Sequence, residues 1–263
     1  MATHIHPTAL VDDGAELGAD VVVGPYTVVE AGVRVGDGTT IGPFCRLTGM
    51  TTIGVGNRFE SHCSIGAPPQ DLKYAGEPTR LEIGDRNTFR EFVTFHRGTP
   101  GGGGLTTVGS DGLYMAYVHV AHDCHVGDQV IFANNATLAG HVEVGDYSTV
   151  GAITAVHQFC RVGPYAFIGG GSILTKDVLP FMKTVGSRPA RCYGPNSIGL
   201  ERKGFSDDRR AALKSLWRIL HDRHLNTSQA LARARAELAG QPDVDSVLEF
   251  IDSSERGVVL ADG

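Results

Sequence analysis

The 263-residue chain carries 35 glycines, about twice the average share, with 41% hydrophobic and 7% aromatic residues and a net charge of −6. No glycine recurs strictly at every third position, which excludes collagen, and this much glycine excludes a coiled coil. The acidic balance argues against a general nucleic-acid binder, and no run of about 18 apolar residues is present to span a membrane. The start, Thr3-His4-Ile5-His6-Pro7, lacks the basic and apolar stretches of a signal peptide. Cys45, Cys63, Cys124, Cys160 and Cys192 are odd in number and widely spaced, unlike a disulfide framework or a CxxC zinc site. A reduced, cytoplasmic setting is the expectation.

From Ile5 the chain keeps a stride of six. Ile5, Val11, Leu17, Val23, Val29, Val35, Ile41, Leu47, Ile53, Phe59 and Ile65 are all apolar, and glycine often follows, as at Gly24, Gly36, Gly42, Gly54 and Gly66. The stride breaks at Ala67-Pro68-Pro69-Gln70 and returns at Ile83, Phe89 and Phe95. It breaks again at Thr99-Pro100-Gly101, then runs from Val108 through Tyr114, Val120, Val126, Phe132, Leu138, Val144, Val150, Val156, Val162 and Ile168 to Leu174. A period of six suits neither an α-helix nor an amphipathic strand, but it suits a parallel β-helix in which each hexapeptide makes one flat side and one corner. The apolar residue is expected to point into a narrow prism, and the glycine after it to ease a corner of unusual dihedrals.

Three hexapeptides make one coil, so residues eighteen apart share a column, about 4.8 Å per coil. The breaks, near 67–82 and 97–107, are expected as loops leaving the prism, where binding residues tend to sit. The β-helix is assigned to residues 1–195. A helical segment, 196–263, is expected to hold a helix capped by Ser206 with Leu213, Leu216, Trp217 and Leu220 buried. A second helix starts near Thr227 or Ser228, carrying Leu231 and Leu238. A third starts near Pro242, with Val244, Val247, Leu248 and Ile251 inward.

Histidines gather where loops and coils meet: His119, His122 and His125, then His141 and His157. By column, His122, Gly140 and Gln158 stack on one face, with Asp123 beside His122 and His141 one coil above Asp123. Acyl transfer to a hydroxyl needs such parts: a base for the proton, a carboxylate to fix the imidazole, and a backbone N–H for the oxyanion. The same histidines could also be solvated or structural. A zinc site of the γ-carbonic-anhydrase kind is a rival reading, but His119 and His125 are six apart and belong to different sides of the prism. Cys124 reads as a small packed thiol.

Gln70-Asp71-Leu72-Lys73-Tyr74-Ala75-Gly76-Glu77-Pro78-Thr79, His119-Val120-Ala121-His122-Asp123-Cys124, Asn134-Asn135-Ala136-Thr137-Leu138-Ala139-Gly140-His141-Val142 and Ala155-Val156-His157-Gln158-Phe159-Cys160 together resemble the acyl-ACP:UDP-N-acetylglucosamine O-acyltransferase family over nearly the whole chain. The resemblance implies a left-handed β-helix with a small C-terminal α-helical domain, against the usual right-handed crossover rule. It implies transfer of an (R)-3-hydroxyacyl group from acyl carrier protein to the 3-hydroxyl of UDP-N-acetylglucosamine (UDP-GlcNAc), the first step of lipid A biosynthesis, with neither cofactor nor metal. His122 would be the general base with Asp123 its partner, and the Gly140 amide the oxyanion donor. Gln158, His141, His119 and His157 would line the sugar and acyl sites, with Asp71 and Lys73 contacting sugar and acyl chain and Gln70 beside them. Asn196, Arg202 and Lys203 match the segment holding the UDP end, although Ile198 stands where some members have Glu. Gly170 matches an acyl-chain ruler, and glycine there implies a longer chain.

The family is a homotrimer with sites between β-helices. Sequence alone supports this only by the reasoning that a loop bearing Asp71 and Lys73 serves a neighbour's His122 across an interface. A related alternative is N-acyl transfer to a 3-amino UDP-sugar. The Gly101–Gly104 run reads as a flexible excursion. Arg209, Arg210, Lys214 and Arg218 form a basic face, either solvated or a docking patch for the acidic acyl carrier protein.

Overall fold

The computed structural model describes residues 2–260. The chain winds as a left-handed parallel β-helix of three sheets that form the faces of a triangular prism, followed by a hairpin and four helices. Face one has eleven strands starting at His4–Ile5, face two has nine starting at Leu10–Val11, and face three has eight starting at Glu16–Leu17. Most strands are two residues long, one pointing out and one in, so the side-chain alternation of a strand becomes a stride of six. Residues eighteen apart pair on successive coils, as in His119↔Thr137 and Thr137↔Ala155. Across the two interruptions Ile53 pairs with Ile83 and Ile83 with Val108, so face three keeps its register, while face two shifts by one residue at Ile65–Ala67 where the first loop leaves.

The inward residues form one core from Val21 to Val178. The first coils are its open end: Ile5 is 43% exposed and Val11 and Leu17 are half-buried, because no coil lies beneath them among the described residues. At mid-height the core turns aromatic. The rings of Phe59, Phe89 and Tyr114 stack at 4.5 and 4.9 Å, with Phe95 edge-on to the latter two.

Of the glycines that follow an inward residue, Gly66 takes the left-handed dihedral expected of it (φ 77°), whereas Gly24, Gly36, Gly42 and Gly54 do not. At Gly24, Gly36, Gly42 and Gly54 a Cβ would come within 2.9 Å of the next coil, so these positions are glycine because coils approach closely there. The left-handed corner lies two residues further on and is mostly held by larger residues, among them Tyr26, Phe44, His62, Asp123 and His141. Corner side chains therefore stack in columns, and Tyr26, Phe44, His62, Phe92 and Tyr117 make an exposed aromatic ladder with spacings of 4.8–5.2 Å between faces one and two.

The excursions are shorter than their expected spans. Arg80–Ile83 and Leu105–Val108 are four-residue strands paired with each other in face three. Beyond Leu174 the chain forms a hairpin, Met182–Val185 against Arg191–Pro195, that extends face one. The helices are α1 (Ser197–Arg202), α2 (Asp207–Leu220), α3 (Thr227–Glu237) and α4 (Pro242–Asp252). Ser206 caps α2 as expected, while α3 is capped by Asn226 in a capping box with Gln229. A second core joins Leu213, Leu216, Val244, Val247 and Leu248 to Leu179, Phe181, Met182 and Cys192, so the helical layer takes in the hairpin that precedes residue 195. Residues 261–263 of the expected helical segment lie outside the described residues. Among the described residues, no helix is long and apolar enough to cross a membrane.

Candidate active site

His122 and Asp123 occupy the corner between faces two and three, following the inward Val120 and preceding the inward Val126. Asp123 takes the left-handed corner conformation (φ 58°), which a short polar residue tolerates better than most. The turn swings its side chain back against its neighbour, and His122 Nδ1 donates to Asp123 Oδ2 at 2.8 Å. With the carboxylate accepting at Nδ1, Nε2 is the nitrogen that carries no proton in the neutral imidazole.

Gly140 lies one coil above. A Cβ there would sit 2.5 Å from His122 Cε1 and 2.8 Å from Nε2, so the imidazole rests directly on the Gly140 backbone. The adjacent amides of Ala139 and His141 donate to Val156 O and His122 O, whereas the Gly140 N–H has no acceptor among the described residues. The column arithmetic thus leads to an imidazole beside a free amide.

His141 also sits at a left-handed corner, 3.8 Å from Asp123 Oδ2 through Nε2, its ring stacked on Phe159 at 4.4 Å. Burial lowers its pKa against the upward pull of Asp123 and Asp71. His119 is hydrogen bonded through Nδ1 to Thr94 Oγ1 at 2.7 Å, and burial and His122 push it down too. Sequence reasoning missed His96, which is 5% exposed, edge-on to His119 at 5.0 Å, with Nδ1 unpartnered. Burial first, then His119 and His122, push it down to about 4. These three imidazoles are neutral near pH 7, and they surround the His122–Asp123 pair without adding charge. His96 precedes the second break in the stride. The break hid its register from column counting, and only the pairing of Phe95 with Val120 reveals that it lies beneath Ala121.

The other expected residues divide into two groups. Gln70 and Lys73 are exposed and Asp71 half-buried on the first excursion, where Asp71 Oδ1 accepts from the Lys73 N–H at 2.9 Å. Asp71 pulls electrostatically on His141 of the same chain, which places the first excursion on the side of the His122 corner. His157 and Gln158 are exposed in the coil above Gly140. Asn196, Arg202 and Lys203 are elsewhere. They line a groove of about 690 Å³ on face one, with Tyr147, Tyr165, Phe167 and the exposed Ile198. Asn196 is committed as the α1 cap, accepting from Gly199 N and donating to Tyr165 O, and Lys203 Nζ lies 4.6 Å above the Tyr147 ring. This groove does not meet the His122 corner within one chain, because face one lies opposite that corner of the prism.

Gly170 is exposed near the corner between faces one and two, not in the His122 column, and Gly169 beside it is buried against Val185. Arg209 is held by both oxygens of Asp243 at 2.7 Å and lies over Phe205, and Arg210 pairs with Asp207 and Glu201, so among the described residues of the basic face Lys214 and Arg218 are the exposed cations without an ion pair. For a metal, His122, Asp123 and His141 bring donor atoms within 4.8 Å of one another, whereas His119 and His125 lie on different faces, His125 being bonded to Thr107 on face three. Burial pushes the Cys124 thiol up to about 12, so it packs as an inert thiol.

A hexapeptide β-helix with a carboxylate-held imidazole resting on a coil amide defines an acyltransferase of the bacterial hexapeptide class. Residues 14–49 match the bacterial transferase hexapeptide family, and residues 177–259 match the second domain of UDP-N-acetylglucosamine O-acyltransferase. Proteins named acyl-[acyl-carrier-protein]–UDP-N-acetylglucosamine O-acyltransferase from Stenotrophomonas maltophilia and Thiobacillus denitrificans are 53% and 54% identical, covering 97% and 98% of this chain and 97% and 100% of their own. The chain belongs to that family. Solved UDP-N-acetylglucosamine acyltransferases from Francisella novicida (TM-score 0.94, 31% identity, 98% of this chain and 95% of that one) and Moraxella catarrhalis (0.92, 40%, 97% and 99%) share its whole architecture. The alternatives of N-acyl transfer and zinc-dependent hydration are not favoured by these relationships.

Proposed function

We propose that the protein transfers a 3-hydroxyacyl group from acyl carrier protein to the 3-hydroxyl of UDP-GlcNAc, opening lipid A synthesis, with His122 as general base. The observation that carries this reading is the His122–Asp123 pair seated on Gly140. His122 Nε2 takes the proton of the sugar hydroxyl as its oxygen attacks the thioester carbonyl. Asp123 holds the tautomer and balances the imidazolium. The Gly140 N–H donates to the tetrahedral oxyanion, and as this collapses the C–S bond breaks and His122 returns its proton to the departing thiolate. Neutral His119 and His141, with Asp71, Lys73, Gln70, His157 and Gln158, bind the sugar and the acyl carbonyl end. Asn196, Arg202 and Lys203 hold the diphosphate and uridine, cation against anion.

The working form is a homotrimer. Support comes from the groove of Arg202 and Lys203, which faces away from the His122 corner of its own prism, so the two ends of one nucleotide-sugar require two copies. It also comes from the exposed aromatic ladder and from Leu72, 107% exposed between Asp71 and Lys73, since apolar surface of this kind marks an interface. The acyl chain runs toward Gly170, where Ile153, 72% exposed in the corner column below Gly171, offers apolar footing. Five buried free thiols accord with a reducing, cytoplasmic setting.

The test is acyl transfer to UDP-GlcNAc and to its 3-amino analogue from a series of 3-hydroxyacyl-ACPs. Ester formation with UDP-GlcNAc, faster than amide formation with the analogue, is expected. Amide formation alone would reassign the acceptor, and transfer to neither would end the proposal.

A further inference from the structure

The glycine-rich second excursion, expected as a loose loop, closes instead over the one carboxylate at the heart of the site. Asp123 is 2% exposed. Its Oδ1 accepts the Thr99 backbone N–H at 2.8 Å, and its Oδ2 accepts the Thr99 hydroxyl at 2.6 Å, the same oxygen that accepts His122 Nδ1. Thr99 itself is 6% exposed. A single residue from another coil therefore grips both oxygens of the carboxylate and leaves it no rotation about its last bond.

The glycines around it have a steric reason. A Cβ at Gly102 would lie 2.1 Å from Asp123 Cγ, and one at Gly98 would lie 2.2 Å from Leu105 N and 2.7 Å from Asp123 Oδ1. Pro100–Gly102 forms a short 3-10 turn, and Gly102 N and Gly104 N both donate back to Thr99 O, which fixes Thr99 from behind. From below, the Asp123 N–H donates to Thr106 Oγ1 at 2.8 Å, so the carboxylate's own backbone is pinned as well.

We propose that Thr99 is a positioning residue for the acyl transfer: residues 97–104 form a carboxylate clamp in which Thr99 locks Asp123 in the rotation that aligns His122. The inference rests on His122 being the base. Two donors on a buried carboxylate are charge-assisted hydrogen bonds, and loss of one lets the acceptor for His122 Nδ1 turn away. Thr99 is buried and spends its donors on Asp123, so its effect passes through Asp123 and falls on turnover rather than on binding.

The experiment compares steady-state transfer by the full-length parent protein, Thr99→Val, Thr99→Ser and Gly102→Ala, and repeats Thr99→Val in an Asp123→Ala background. Thr99→Val keeps the N–H and the shape, and should lower kcat about 10- to 100-fold, the range for a hydrogen bond to a charged group, with KM for both substrates within about twofold. Thr99→Ser should restore most of the rate. Gly102→Ala should match Thr99→Val, since its methyl displaces the carboxylate. In the Asp123→Ala background, Thr99→Val should cost less than about threefold, because nothing is left to clamp. An equal loss in both backgrounds, or a Thr99→Val kcat within about twofold of the parent, overturns the clamp. A His122→Ala protein that turns over normally would instead overturn the base assignment, whatever the Thr99 variants do.

Discussion

Gly140→Ala adds one methyl group at the point where the imidazole touches the next coil. The new Cβ would lie 2.5 Å from His122 Cε1, 2.8 Å from Nε2 and 3.0 Å from Nδ1, against an ordinary contact of 3.4–4 Å. The ring must therefore withdraw by about 1 Å, or turn about its bond to Cβ and break the 2.8 Å hydrogen bond to Asp123. The backbone of Gly140 has no left-handed φ, so alanine fits its dihedrals and the coil should still form. A misplacement of this size at a reacting group costs on the order of 10²-fold in rate. The expected outcome is a kcat lowered about 100-fold with the melting temperature close to that of the parent, and nearly no further loss when Gly140→Ala is added to His122→Ala. Initial rates of acyl-ACP consumption with saturating UDP-GlcNAc measure it. A folded Gly140→Ala protein turning over within about twofold of the parent would refute the contact between base and amide as the heart of the site.

Gly170→Met should move the acyl-length optimum of kcat/KM to shorter chains. Each methylene displaced costs roughly 0.8 kcal/mol of burial, so excluding three costs on the order of 50-fold for the longest donor, and an unmoved optimum removes Gly170 as the ruler. Lys214→Glu with Arg218→Glu should raise KM for acyl-ACP several-fold at low ionic strength and less at high salt, and an unchanged KM at low salt identifies a solvated face. His96, buried and pushed down to about 4, stays neutral in the folded protein while the unfolded chain takes up a proton below about pH 6.5. Stability should thus fall as pH drops from about 6.5 to 4, by on the order of 3 kcal/mol, and denaturant titrations of His96→Gln should lack that part of the slope.

The stride of six exposed both the prism and the columns, because the inward position of each hexapeptide has to be apolar whatever else the coil does. For the same reason His122, Gly140 and Asp123 could be brought together by counting alone: between Val108 and Leu174 no residue is inserted. Counting fails wherever the chain leaves the prism. His96 and Thr99 lie at the edge of the second excursion, where strand pairing across a gap in the stride sets His96 beside His119 and two hydrogen bonds set Thr99 on Asp123. The glycine run carried no sign that it packs on a carboxylate, because a glycine needed for close approach reads the same as one needed for freedom. Face membership did separate Arg202 and Lys203 from His122, but only after the hairpin after Leu174 and the short α1, both masked by Pro180, Pro189 and Pro195, had been located. Ion pairs such as Arg209–Asp243, which occupy part of the basic face, join residues on different helices, which no local pattern reports.

The most direct test of the whole account is the turnover of His122→Ala, with folding verified by its thermal melt, in transfer from a 3-hydroxyacyl-ACP to UDP-GlcNAc. A base held by Asp123 over the Gly140 amide predicts a loss of about 10²–10⁴ in kcat with UDP-GlcNAc still bound. Turnover near that of the parent in a folded His122→Ala protein would contradict it.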